Sequence, residues 1–199
     1  MRRISLLLCA LMLLSAMTFG QTLTQADREK GVQYLQQTRD GVVAAIQGLS
    51  DAQLKYKAAP DRWSVAETLE HIALAEDFIF QNVVEKTMKA PTGPAGRDTA
   101  KADAMVLAMV PDRSHKVQAP PPLVPTGRWT VSETLDHFLK SRAKTIAYLE
   151  STPDLRVHVA DSPLGQLDGY EGLLFIGAHS ERHTKQMLEV KADPGFPKS

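Results

Sequence analysis

Two of the chain's six histidines, His179 and His183 in FIGAHSERHTKQM, stand four residues apart. On a helix this spacing puts both on one face with Cβ atoms about 5–6 Å apart, so both imidazoles can reach a single divalent ion. Two ligands do not complete a site, and a third has to come from another element. A zinc-protease motif is excluded, because it needs Glu directly after its first His, where this chain has Ser180. Glu181 falls on a different side of the helix from His179.

The third ligand is sought in a repeat. RWSVAETLEHIA, residues 62–73, returns as RWTVSETLDHFL, residues 128–139, so His71 and His137 occupy matching places. One and two helical turns from His71 lie Glu67, Thr68, Leu74, Ala75 and Phe78, a substantially apolar setting. The same places around His137 hold Glu133, Thr134, Lys140, Ser141 and Lys144. Two lysines imply a solvated face, and their charge opposes a dication. His71 is therefore the better ligand. His179 follows Phe175 and Ile176 by one turn, which sets it at the border of the core. Three neutral imidazoles from two helices leave a fourth position open to water or substrate, as expected of a reactive rather than a closed structural site. Zinc suits this set best, with nickel and iron as alternatives because imidazole is not selective.

The residues alone leave a second account open: His71 as a hydrogen-bonded core histidine, and the pair at 179 and 183 as an exposed polar edge. His115 and His158 have no partner at ligand spacing and receive no role. Glu67, one turn before His71, either orients that ligand or accepts a proton, or serves only as a helix cap; the cap is the stronger account. Arg182 attracts an anionic substrate if it faces the mouth of the site, though a surface arginine is the commoner case.

Four amphipathic segments must position these groups. Residues 24–49 carry Val32, Leu35, Val42, Val43, Ile46 and Leu49 on one helical face. Ser64 and Glu67 form a capping-box pattern at the start of a second helix, about 65–88, with a stripe of Val65, Leu69, Ile72, Ile79 and Val83. Residues 90–128 change character: PTGPAG, an amphipathic piece near 99–110, then QAPPPLVPTG, whose prolines favour an extended connection. Thr130 and Glu133 repeat the capping box before a third helix, with Val131, Leu135, Phe138, Ile146 and Leu149 facing the core. RVHVADSPLGQLDGY reads as a loop. Residues 170–191 form the fourth helix, with Leu173, Leu174, Ile176, Met187, Leu188 and Val190 apolar. The expected fold is all-α, a four-helix bundle with a long crossover between helices two and three and no convincing strand. Trp63 and Trp129 are expected to lie in the core, locking the two helix starts.

The chain of 199 residues, 43% hydrophobic, suits one domain. Residues 1–20 read as a secretory signal: Arg2 and Arg3, an apolar run from Ile4 to Met17, then small residues to Gly20. That run is shorter than the ~20 residues of a bilayer span. The domain proper is then 21–199, exported to a periplasmic or extracellular space, with no stable membrane span after signal removal; an uncleaved N-terminal anchor is the alternative. The single cysteine, Cys9, lies inside the signal, so a processed chain has no disulfide, thiolate ligand or cysteine nucleophile. Losing Arg2 and Arg3 from 23 basic residues leaves 21 against 23 acidic ones, which argues against nucleic acid as a partner.

The order and spacing of WSVAETLEH and HSERHTKQ resemble the DinB-like (YfiT-like) four-helix-bundle superfamily. In that superfamily helix two opens on a Trp-Ser-type start with a ligand His two turns in, and helix four carries HxxxH. The resemblance spans essentially the whole processed chain, from the first helix to Lys191. It implies a metal site on His71, His179 and His183 and no ligand from helix three. Characterised members include metal-dependent transferases and isomerases that use small thiols such as mycothiol and bacillithiol. This chain departs from them in its export signal, since such thiols belong mainly to the cytosol. Two functions are thus expected in competition. One is a metal-dependent enzyme that activates a water, thiol or other nucleophile on a small-molecule substrate. The other is a non-catalytic metal-binding or stress-related bundle, for which a homodimer is entertained. A bundle that kept the fold and lost the metal is disfavoured by the intact trio of histidines.

Overall fold

Reciprocal capping starts three of the four long helices. In each, a Ser, Thr or Asp side chain accepts from the amide three residues on, and the Glu there accepts from the amide of the cap. Ser64 and Glu67 do this for one helix at 3.2 and 2.8 Å, Thr130 and Glu133 for the next at 3.3 and 2.8 Å. Asp168 and Glu171 do it for the last at 2.8 and 2.9 Å. The first long helix has the simpler cap, Thr24 Oγ1 accepting from the Asp27 amide.

The computed structural model describes residues 22–198, so the expected export signal and Cys9 lie outside the described residues. The elements are α1 (Gln25–Ile46), α2 (Asp51–Lys55), α3 (Val65–Glu85), α4 (Thr99–Met109), α5 (Val131–Ser151), the strands β1 (Val159–Ser162) and β2 (Gly165–Asp168), and α6 (Gly169–Lys191). Helices α1, α3, α5 and α6 form the bundle; α4 lies within the crossover and packs on α6. No helix among the described residues is long and apolar enough to cross a membrane.

Two elements depart from expectation. RVHVADSPLGQLDGY is not a plain loop: β1 and β2 pair antiparallel, Val159 opposite Asp168 and Ser162 opposite Gly165. Its Pro and Gly are the hairpin's turn rather than a general break, and Gly165 takes φ +97°, a conformation that favours glycine. Burial of Val159 and Leu167 holds the hairpin on the bundle. The five-residue helix α2 was also unexpected, although Ser50 and Gln53 cap it reciprocally.

Val65, Leu69, Ile72, Ile79 and Val83 are all buried, as are Leu173, Leu174, Ile176, Met187 and Val190; Leu188 instead faces solvent. Helix α6 packs against both α3 and α1. Close approach is possible because α6 is small where it meets them: a Cβ on Gly172 would lie 2.5 Å from Val83 Cγ2. Trp63 and Trp129 are both half-buried, not core residues as expected, because each lies just ahead of its helix, outside the interface between helices.

At the centre, Arg142 of α5 is fully buried with Glu76 of α3. Its Nε and Nη2 donate to the two carboxylate oxygens at 2.8 and 2.7 Å. Nη1 reaches the Leu35 carbonyl and Thr38 of α1 at 2.7 and 2.9 Å, and Nη2 reaches Ser180 of α6 at 2.8 Å. One guanidinium thus ties all four long helices, and every hydrogen-bonding direction is used, which offsets the cost of desolvating it. Glu76→Ala strands that charge in the core and is expected to destabilise the protein by about 3–5 kcal/mol, read from urea unfolding midpoints. A loss below about 1 kcal/mol would mean that the pair does not hold the bundle.

Candidate metal centre

His71 stands in the second turn of the capped helix α3, and His179 and His183 share one face of α6 where α6 packs against α3. The structure brings these three of the six histidines together. His71 Nε2 lies 3.2 Å from His179 Nε2 and 3.1 Å from His183 Nε2. One ring nitrogen from each of the three falls within 4.8 Å of the others, an arrangement that could hold a metal ion. Three nitrogens around a tetrahedral ion at a Zn–N distance of about 2.0–2.1 Å would be separated by ~3.3 Å, so small adjustments suffice.

The outer nitrogens decide which atoms face inward. His71 Nδ1 lies 2.8 Å from the Leu123 carbonyl, in the 3-10 turn Pro121–Leu123 of the crossover. His183 Nδ1 lies 2.9 Å from Gln186 Oε1. Both partners only accept, so both Nδ1 atoms carry the hydrogen and both Nε2 atoms present lone pairs to the centre. Burial lowers the pKa of His71 below the usual imidazole value. For His183, burial first and the neighbouring His71 second push it down to about 3. His179 is likewise held well down, by burial and then by His183. Burial thus favours the neutral ring in all three, and with hydrogen on Nδ1 the Nε2 lone pairs of His71 and His183 are free for an ion. The donor set fits a divalent ion of imidazole preference, with a fourth position left over.

His71 and His183 are buried, whereas His179 keeps partial exposure. Phe175 stands edge-on to His179 with ring centroids 6.4 Å apart. Trp63 lies against His71 at 4.7 Å and reaches His183 at 6.5 Å. Its place is thus a wall of the site rather than the core position expected of it.

The remaining sequence candidates fall elsewhere. His137 Nε2 pairs with Asp77 Oδ2 at 2.6 Å, and Trp129 stacks on its ring at 4.7 Å. Glu67 gives one oxygen to the Ser64 amide and the other to Lys57 at 2.9 Å, so it caps α3 and does not orient His71. Arg182 does not line a substrate mouth: it donates to the carbonyls of Val110, Asp112 and His115 and pins the crossover to α6. His115 is exposed, and His158 Nδ1 bonds the Ala90 carbonyl at 2.6 Å. Two partners of the site were missed in the sequence. Gln186 was findable, standing one turn after His183; the Leu123 carbonyl was not, because backbone groups carry no residue signature.

The pattern that defines the DinB superfamily matches residues 34–187, a span that includes all three histidines. The uncharacterized protein YuaE of Bacillus subtilis (strain 168) is 27% identical over 150 residues, covering 73% of this chain and 88% of its own. Among solved structures, YfiT from Bacillus subtilis superposes with a TM-score of 0.56 at 15% identity, covering 89% of this chain and 93% of its own. It is described as a probable metal-dependent hydrolase with an unusual four-helix bundle topology, and at that identity the likeness speaks for the fold. With the family pattern running from α1 nearly to the end of α6, the chain belongs to the DinB superfamily.

Proposed function

We propose that the protein is an exported metal-dependent enzyme in which His71, His179 and His183 hold one divalent ion, zinc by preference. The observation that carries this reading is the convergence of three imidazoles, two of them fixed through Nδ1 and the third, His179, only partly buried. An ion held there supplies Lewis acidity and the charge that lowers the pKa of a water, thiol or other nucleophile at the fourth position. The description of YfiT as a probable metal-dependent hydrolase puts water first among these nucleophiles. Trp63 and Phe175 limit access to the trio and give a substrate apolar surface to rest on.

One observation favours a non-catalytic metal-binding bundle as the second reading. The carboxylates nearest the histidines in sequence are already engaged. Glu67 serves its cap and Lys57, Glu70 the amides of Thr126 and Gly127, and Glu181 Tyr34 and Lys185. A base for the nucleophile would therefore come from substrate or solvent.

Elemental analysis of protein purified without chelator is expected to find about one divalent ion per chain, lost in His71→Ala, His179→Ala and His183→Ala and kept in His137→Ala. Hydrolysis of activated esters or amides should disappear on metal removal and return on adding zinc. No metal in the parent after reconstitution with zinc and nickel would sink both readings; one metal without turnover on any hydrolytic or thiol-transfer substrate would favour the second. Export rests on residues 1–20. N-terminal sequencing of protein from the exported fraction is expected to begin near Gln21, and a chain retaining Met1 in the membrane fraction would contradict a cleaved signal.

A further inference from the structure

The crossover reaches the histidine cluster by a second route besides Leu123. Arg113 holds both oxygens of Glu189, through Nε at 2.6 Å and Nη2 at 2.7 Å, and its Nη1 donates to Gln186 Oε1 at 3.3 Å. A guanidinium has only donors, so the Gln186 atom that meets it is the carbonyl oxygen. With the amide turned the other way, an NH2 group would face a cation. The same oxygen is the acceptor for His183 Nδ1 at 2.9 Å. Arg113 therefore selects the orientation of Gln186, and Gln186 selects which nitrogen of His183 carries hydrogen. Because Gln186 follows His183 by three residues on α6, the helix itself brings the two side chains together.

We propose that Gln186, held by Arg113, is a positioning residue for the metal centre: it fixes the tautomer and ring orientation of His183 and couples the crossover to metal binding. The inference rests on the metal reading above. Two of the three histidines are then oriented by the crossover, His71 directly through the Leu123 carbonyl and His183 through Gln186 and Arg113. A histidine free to turn, or free to place its hydrogen on Nε2, must be reset each time an ion binds, and that resetting weakens affinity. The alternative role is purely structural, in which Gln186 and Arg113 only fasten the crossover to α6.

The test uses Co(II) and Zn(II) affinities, measured by competition with a chromophoric chelator, and the visible absorption of the Co(II) form. Parent, Gln186→Leu, Gln186→Glu, Arg113→Met and the double variant Gln186→Leu/Arg113→Met are compared, with thermal melts of the metal-free forms to show that each is folded. Gln186→Leu is expected to weaken metal binding about 10–100-fold and to change the Co(II) bands. Gln186→Glu keeps an acceptor on Nδ1 and should bind at least as tightly as the parent. Arg113→Met should cost less than Gln186→Leu, and nothing further once Gln186 is Leu. Parental affinity and an unchanged Co(II) spectrum in Gln186→Leu would overturn this inference alone, as would an Arg113→Met loss that adds fully to that of Gln186→Leu. A parent that binds neither ion would overturn the metal reading and this inference with it.

Discussion

Lone pairs of two neutral imidazoles, His71 Nε2 and His183 Nε2, face each other at 3.1 Å, with His179 Nε2 beside them at 3.2 Å from the first. Neither lone pair can donate to the other, so the arrangement is unfavourable unless something electron-poor lies between them. Burial removes the simplest escape, protonation, since the low-dielectric surroundings disfavour the charged ring. What remains is a site poised for a divalent ion, and the rest of the molecule resists the relaxation that would let the rings drift apart.

That resistance has two sources. The bundle interior is tied by Arg142, whose contacts to Glu76, Leu35, Thr38 and Ser180 join four helices and end beside His179. The tight seam at Gly172 and Val83 keeps α6 close to α3, so the histidines of the two helices stay within reach of one ion. The crossover is the second source. Glu70, beside His71 in the chain, accepts from the amides of Thr126 and Gly127 at 3.0 and 2.8 Å, while Arg182, next to His183, takes three crossover carbonyls. Residues adjacent to the histidines thus anchor the same segment that orients them. The proline-rich stretch belongs to the centre as much as to the path between helices.

Much of this was legible because the signals are local. Capping boxes span only four residues, and HxxxH and the apolar stripe of α3 follow the helical repeat. The repeat RWSVAETLEH and RWTVSETLDH could be resolved by its surroundings: the lysines near the second copy mark a solvated face, and there His137 pairs with Asp77. What could not be read depends on distant groups. The Leu123 carbonyl is 52 residues from His71, and the carbonyls that occupy Arg182 lie 67 to 72 residues away on a crossover whose path no local pattern specifies. The hairpin at 159–168 was hidden by its breakers, since Pro and Gly mark a tight turn and an open loop alike. Trp63 is expected inside because aromatics usually pack in cores, but it sits before the helix begins and covers His71 instead.

The most direct measurement is long-range 15N–1H NMR of the histidine side chains in metal-free protein at pH 7, followed by addition of one equivalent of zinc. The account predicts neutral rings with hydrogen on Nδ1 at His71 and His183, and zinc-induced shifts at the Nε2 atoms of His71, His179 and His183 but not of His137. Protonated rings at the cluster, hydrogen on Nε2 of His71 or His183, or zinc shifts centred on other histidines would contradict it.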